Sequence, residues 1–263
     1  MLNFFRLQGK VAIITGAAGG IGEATAKLFA EHGAFVIIAD IQDELGNQVV
    51  SSIGPEKASY RHCDVKDEKQ VEETVAYAIE KYGSLDIMYS NAGIAGPVGS
   101  ILDLDMARFD RTIATNLAGS VMVVKHAARV MVANKIRGSI ICTTSTASTV
   151  GGSGPHAYTI SKHGLLGLVR SAASELGKHG IRVNCVSPFG VATPFSAGTI
   201  NDVEGFVCKV ANLKGIVLKA KHVAEAALFL ASDESAYISG HDLVVDGGFT
   251  VVTDVMSMLE GHG

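Results

Sequence analysis

The chain has 263 residues, 48% hydrophobic and 18% charged, so it can bury a large core, and an α/β chain of this length is expected to form one domain over residues 1–263. A net charge of -4 without any Lys/Arg run argues against nucleic-acid and anionic-membrane partners and leaves small molecules as the expected ligands. Cys63, Cys142, Cys185 and Cys208 form no C-x-x-C pair, residues 1–8 lack the apolar core of a signal peptide, and no apolar run is long enough to span a bilayer, so no disulfide framework and no metal site are expected and a reducing, cytoplasmic location is.

Residues 10–15 are a short β-branched run of the kind found in strands buried on both faces of a parallel sheet. They lead into Gly16-Ala17-Ala18-Gly19-Gly20-Ile21-Gly22 and a helical segment, 23–31, that Gly33 closes. Glycines between a strand and a helix let the backbone turn sharply and approach a pyrophosphate, while the helix N-terminus supplies N–H donors. No Gly-Lys-Ser/Thr follows, which removes the P-loop alternative. A second strand, 34–39, ends in Asp40, roughly twenty residues beyond the glycines, where a carboxylate can accept hydrogen bonds from both ribose hydroxyls of a dinucleotide. That carboxylate would repel a 2′-phosphate and the glycine turn carries no Arg or Lys, so NAD is expected rather than NADP.

The alternation continues with a strand at 58–63 followed by Asp64-Val65, where the acid is expected near an adenine, and an amphipathic helix at Glu68–Tyr82 closed by Gly83. A strand at 85–90 runs into Asn91-Ala92-Gly93, and a long helical pattern covers 106–134. Asn116 lies inside that pattern, where its amide competes for backbone groups, so it points to a hydrogen-bonding role or a local distortion.

A fifth strand, 138–145, ends in hydroxyl residues, and Ser145 can hydrogen-bond a substrate oxygen from there. Pro155 suits the first position of a helix over 155–178 that Gly180 stops. Tyr158 and Lys162 stand four apart on that helix, one turn from each other on one face. An ammonium roughly 5 Å from the phenol, at an effective dielectric of about 20, contributes on the order of 3 kcal/mol, or about two pKa units, which would bring a tyrosine from about 10 into the range of a general base. Gly164 and Gly167 are costly in a helix and are expected where another backbone packs closely. A sixth strand, 182–186, leads to Ser187-Pro188-Phe189-Gly190-Val191-Ala192-Thr193-Pro194; residues 191–215 read as a lid, 223–231 as a helix and Asp242–Val245 as a seventh strand. This pattern predicts a doubly wound parallel seven-stranded sheet with helices on both faces and its ligands outside the carboxyl ends of the strands.

With Thr15-Gly16-x-x-x-Gly20-x-Gly22, Asn91-Ala92-Gly93, Asn116, Ser145, Tyr158-x-x-x-Lys162 and Pro188 to Thr193 in this order, the chain resembles the short-chain dehydrogenase/reductase family over nearly its whole length. Stretches such as Val244-Val245-Asp246-Gly247-Gly248-Phe249-Thr250 resemble the plant branch that includes secoisolariciresinol, xanthoxin, isopiperitenol and borneol dehydrogenases. The resemblance implies a Rossmann-like fold and roles for particular residues. Tyr158 would be the acid/base, Lys162 would lower its pKa and hold the nicotinamide ribose, Ser145 would position the substrate oxygen, and Asn116 would support a water-linked proton relay. Gly16, Gly20, Ile21 and Gly22 would contact the pyrophosphate, Asp40 the adenosine ribose, and Asp64 and Val65 the adenine. Asn91, Ala92 and Gly93 would contact the middle of the cofactor, and Pro188, Val191 and Thr193 its nicotinamide end. The resemblance also implies a homotetramer in which two long helices form an interface around Gly164 and Gly167. Phe189 departs from the family, many of whose members have Gly there, and would wall the substrate pocket.

The expected function is NAD-dependent oxidation of an apolar secondary alcohol to a ketone; the reading from another class is a non-catalytic NAD-binding redox-sensing module. Ile94, Ser145, Phe189, Phe195 and Phe206 are the expected pocket residues, with Ile200, Val207 and Val210 beside them, while Asp202, Glu204 and Lys209 read as solvated lid surface. A pocket of this composition favours a compact terpenoid alcohol such as borneol or isopiperitenol, the alternative being a larger lignan or steroid-like alcohol.

Overall fold

Seven parallel strands form one sheet in the order β3-β2-β1-β4-β5-β6-β7: β1 Val11–Thr15, β2 Phe35–Asp40, β3 Ala58–His62, β4 Ile87–Ser90, β5 Ser139–Thr143, β6 Arg182–Pro188 and β7 Asp242–Val245. The computed structural model describes residues 5–195 and 202–252. Side chains alternate across the sheet, so Val11 and Ile13 of β1 join one core cluster while Ala12 and Ile14 join the other. Because both faces are covered, the central strands read as unbroken apolar runs, and each fully buried Ile contributes about 1.5–3 kcal/mol.

The helices are α1 Gly20–Glu31, α2 Asp43–Ile53, α3 Glu68–Tyr82, α4 Met106–Ile113, α5 Gly119–Ala133, α6 His156–Leu176, α7 Val203–Val210 and α8 Ala220–Ala231. Helices α3, α5 and α6 bury Val71, Val75, Met131, Leu165 and Val169 against one face of the sheet, and α1 and α8 bury Phe29, Val223 and Leu228 against the other. This is the doubly wound Rossmann-like arrangement that the sequence pattern predicts.

Several elements differ from the sequence expectation. Helix α2 was not expected, because Gly46 interrupts its apolar pattern and is a poor helix former; a Cβ at that position would strike the Tyr60 ring. The long pattern over 106–134 is two α-helices joined by a π-turn, Ala114–Ala118, with Asn116 at its centre. Pro155, with φ -56° and ψ 152°, precedes the first residue of α6 instead of occupying it, and Gly180 ends the segment in the left-handed region with φ 72°. The expected lid contains α7, capped by Asp202, whose carboxylate accepts the Gly205 N–H at 2.8 Å. Ile200, expected to cover the pocket, lies outside the described residues. Gly164 is explained within one chain, since a Cβ there would sit 2.9 Å from Leu117 Cδ2, whereas Gly167 faces open space. All four cysteines are free, and among the described residues no helix is long and apolar enough to cross a membrane and no cluster of metal ligands occurs.

Candidate active site

Strand order reverses at β1, whose neighbours are β2 and β4, and the connections from β1 and β4 leave the sheet in opposite directions to open a crevice at their carboxyl ends. Asn91 ties the crevice together. Its Nδ2 donates to the Thr15 and Gly16 carbonyls at 3.1 and 3.2 Å, and its Oδ1 lies 2.9 Å from Thr143 Oγ1. Thr15 Oγ1 in turn accepts from the Asn91 and Ala92 amides at 3.0 and 3.1 Å. The Asn91 side chain thus holds the ends of β1, β4 and β5 together.

The glycine turn fits between two walls. Gly16 adopts φ 64° and a Cβ on it would lie 2.8 Å from Ala92 Cα; Gly20 adopts φ 58° and a Cβ on it would lie 3.3 Å from the Thr193 Cβ. Gly22 packs directly on the Gly16 carbonyl. No side chain caps α1 at Gly19, so the first amides of that helix are available to an anion, and Ile21 sits half-buried in this first turn.

Asp40 is 6% exposed at the end of β2. Its Oδ2 accepts the Ala18 N–H at 2.9 Å and its Oδ1 the Gln42 N–H at 3.0 Å, so it braces the glycine turn while presenting negative charge beside it. Asp43, the second acid on this edge, is held by Tyr60 and His62 at 2.7 Å each, and Tyr60 also donates to the Asp40 carbonyl. The Tyr60 and His62 hydrogen bonds hold the Asp43 carboxyl below its ordinary range. The edge where an adenosine ribose would lie is therefore acidic. These features fit a nicotinamide dinucleotide: a backbone cradle for the pyrophosphate, open amides at a helix N-terminus and a carboxylate for the ribose.

At the other end of the crevice, Tyr158 and Lys162 project from one face of α6. Lys162 is 3% exposed; its Nζ donates to the Thr143 carbonyl at 2.6 Å and lies 5.4 Å from the centre of the Tyr158 ring. Ser145, 8% exposed, caps the short turn Thr146–Ser148 by accepting the Ala147 N–H at 3.2 Å, and its hydroxyl is the polar group that works against the upward shift of the Tyr158 phenol. The electrostatics run against the sequence expectation. Burial pushes the Tyr158 phenol up to about 12, and the Ser145 hydroxyl only partly opposes it; burial also pushes the Lys162 ammonium down to about 8. Desolvation of both groups outweighs the favourable ion–phenolate attraction, because removing each charge from water costs more than a partner some 5 Å off returns.

Asn116 is fully buried and pins Ile94 by both backbone groups, accepting its N–H at 2.8 Å and donating to its carbonyl at 2.9 Å. Its Nδ2 also lies 3.1 Å from Ser161 Oγ, which donates to the Tyr158 carbonyl at 2.7 Å. The Asn116 carbonyl, inside the π-turn, accepts the Ser120 hydroxyl at 2.8 Å. Its side chain acts here by placing Ile94 beside α6, and a Cβ on Gly93 would lie 3.3 Å from its Oδ1 and 3.8 Å from Lys162 Nζ.

The remaining expected residues divide. The Asp64 carboxylate accepts the Lys66 N–H at 3.0 Å and pairs with the Lys66 ammonium at 3.1 Å, and Val65 is buried against Gly119. Pro188 ends β6 opposite Val245, and Val191 is buried in the core cluster that also holds α1 and α8. Phe195 lies over Tyr158 with ring centres 5.8 Å apart, which contributes to the burial of the phenol. Phe189 lies 6.3 Å from Phe206, and Val203 and Val207 pack beneath α7 against it. Glu204 is paired with Lys219, and Lys209 is exposed, in keeping with a solvated lid surface. Sequence reasoning missed Thr143, which joins Lys162 to Asn91, and Phe249, which stacks on Phe189 at 4.2 Å. Thr143 was visible as part of the hydroxyl-rich strand end, but its partners were not.

Residues 16–250 match the family described as enoyl-(acyl carrier protein) reductase. The chain is 61% identical over 251 residues to short-chain dehydrogenase reductase 3b of Arabidopsis thaliana, an alignment covering 94% of this chain and 98% of that protein. It is 53% identical over 251 residues to (+)-borneol dehydrogenase 1 of Salvia officinalis, covering 94% of this chain and 96% of that one. A crystal structure of a short-chain type dehydrogenase/reductase from Mycobacterium marinum superposes with a TM-score of 0.89 at 34% identity, covering 95% of this chain and 99% of that chain.

Proposed function

The chain belongs to the short-chain dehydrogenase/reductase family, oxidoreductases that use a nicotinamide cofactor, NAD or NADP, and we propose that it oxidises an apolar secondary alcohol to a ketone with NAD. The observation that carries this reading is the convergence of Tyr158, Ser145 and Lys162 at the end of the crevice opposite Asp40. The nicotinamide supplies the hydride acceptor when bound. Ser145 holds the substrate oxygen against Tyr158, and Tyr158 takes the hydroxyl proton as hydride leaves the carbinol carbon. Lys162 favours the phenolate while it remains charged, and Phe195 covers one side of the Tyr158 ring. Gly16, Gly20, Ile21, Gly22, Ala92, Gly93 and Thr193 would hold the pyrophosphate and the nicotinamide half, and Asp40 the adenosine ribose.

NAD is favoured because Asp40 and Asp43 both stand at the ribose edge and would oppose a 2′-phosphate. The apolar surroundings, with Phe195 on Tyr158 and Phe189 beside α7, support a compact terpenoid alcohol of the borneol type, and the borneol dehydrogenase relative supports the same class. A homotetramer is our reading, supported by a groove of about 600 Å³ between α5 and α6 that mixes Val121, Val124, Ala128 and Leu168 with Lys125, Arg129 and Glu175; we also place the protein in the cytoplasm. Tyr158→Phe tests the mechanism. Turnover of alcohol to ketone should fall by at least about a hundredfold while NAD binding, measured by calorimetry, is kept. Unchanged turnover would remove Tyr158 from the chemistry, and no alcohol oxidation by the unmodified protein would favour the non-catalytic alternative.

A further inference from the structure

We propose that Phe249, on the turn after β7, is a positioning residue that sets substrate size by bracing Phe189 from behind; this rests on the alcohol-oxidising reading above.

The turn that carries Phe249 is rigidly built. Asp246, 8% exposed, accepts the Gly248 N–H at 2.8 Å through Oδ1, and the Thr250 N–H and hydroxyl at 2.7 Å each through Oδ2. Gly247 and Gly248 take φ 62° and 85°, conformations that side-chain-bearing residues resist, so the chain doubles back just before the ring. Phe249 then stacks on Phe189 with centres 4.2 Å apart and planes 21° apart. Phe189 is tied to the same strand end, its N–H donating to the Val245 carbonyl at 3.2 Å.

On its other side Phe189 meets the lid. It packs with Val203, Val207 and Ala211, tilts toward Phe206 at 6.3 Å, and is followed by Gly190, where a Cβ would lie 2.9 Å from Val207 Cγ2. The lid is also hooked to the Phe249 turn directly, since Leu213 N–H donates to the Gly247 carbonyl at 2.9 Å. Phe189 is thus wedged between a fixed turn and a helix, and the segment it begins ends at Phe195, over the Tyr158 ring. Close packing transmits such a displacement, so removing the Phe249 ring lets Phe189 and α7 settle back and widens the space before Tyr158.

The test measures NADH formation by the full chain with a compact bicyclic alcohol, borneol, and a larger polycyclic one, a 3-hydroxysteroid. Phe249→Ala is expected to shift the ratio of kcat/KM by about tenfold toward the larger alcohol, mostly through KM for the alcohols, with KM for NAD unchanged; Phe249→Tyr is expected to keep the original ratio. Phe249→Leu, which retains most of the volume, should shift the ratio partly and stands in if the alanine variant does not fold. An unchanged ratio in the folded variant, or an equal loss toward both alcohols, overturns the inference while leaving the alcohol reading intact. No oxidation of either alcohol by the unmodified protein overturns both.

Discussion

Lys162 gives its hydrogen bond to the carbonyl of Thr143 at 2.6 Å, and this ties the middle of α6 to the end of β5. Ser145 follows two residues later on the same strand exit, and Tyr158 lies one turn earlier on the same helix. One buried ammonium therefore sets the separation between the phenol and the Ser145 hydroxyl.

That ammonium is held at a cost to stability. Its folded pKa of about 8 lies below the ordinary lysine value of 10.5, so the folded state favours the neutral amine. The penalty is fully present below about pH 8 and fades as pH rises toward 10.5; stability rises with pH across that window. At neutral pH the penalty is about 3 kcal/mol, with the hydrogen bond to Thr143 already included in the shift. Lys162→Met should abolish activity, yet hold or raise the melting temperature at pH 7 by up to a few degrees. Melting curves from pH 7 to 10.5 should show the unmodified protein gaining on the variant as pH rises; a constant difference would contradict the buried-charge account.

The Ser145 hydroxyl lowers the Tyr158 pKa against its burial. In Ser145→Ala the alkaline limb of kcat/KM for oxidation should move to higher pH, and the rate at pH 8 should fall by about 10²-fold. A limb that stays in place while the rate falls would assign Ser145 to substrate positioning alone, provided hydride transfer limits the rate.

Asp40→Asn keeps an acceptor for the Ala18 N–H and removes the charge. The ratio of kcat/KM for NADP over NAD should then rise by about tenfold, equivalent to about 1.4 kcal/mol. Comparable efficiencies for the two cofactors in the unmodified protein would refute the electrostatic argument.

Asn116→Leu would leave the Ile94 N–H and carbonyl without their partners in a partly buried setting. A loss of stability of about 2–5 kcal/mol is expected, read from denaturant unfolding, along with weaker alcohol oxidation because Ile94 is released beside the pocket. A fully stable, inactive variant would point instead to a direct part in proton transfer.

What the sequence determined by itself is whatever is written in local periodicity. The apolar runs of β1 to β7 alternate with helical segments, so a doubly wound sheet follows, and its rule for ligand position gathers the glycine turn, Asp40, Asn91, Ser145 and Thr193 on one rim. The four-residue spacing of Tyr158 and Lys162 places them on one helix face whatever surrounds it. The tertiary structure decided everything that depends on distant neighbours. Gly46 hid α2 until Tyr60 was seen to fill its place, and Gly164 proved to make room for Leu117 of the same chain. Asn116 found Ile94, and Phe249 found Phe189 sixty positions earlier in the chain. The pKa values of the central pair turned upward and downward, opposite to the estimate from charge alone, because spacing along a helix sets how far apart two groups lie, while their hydration is set by the elements packed around them.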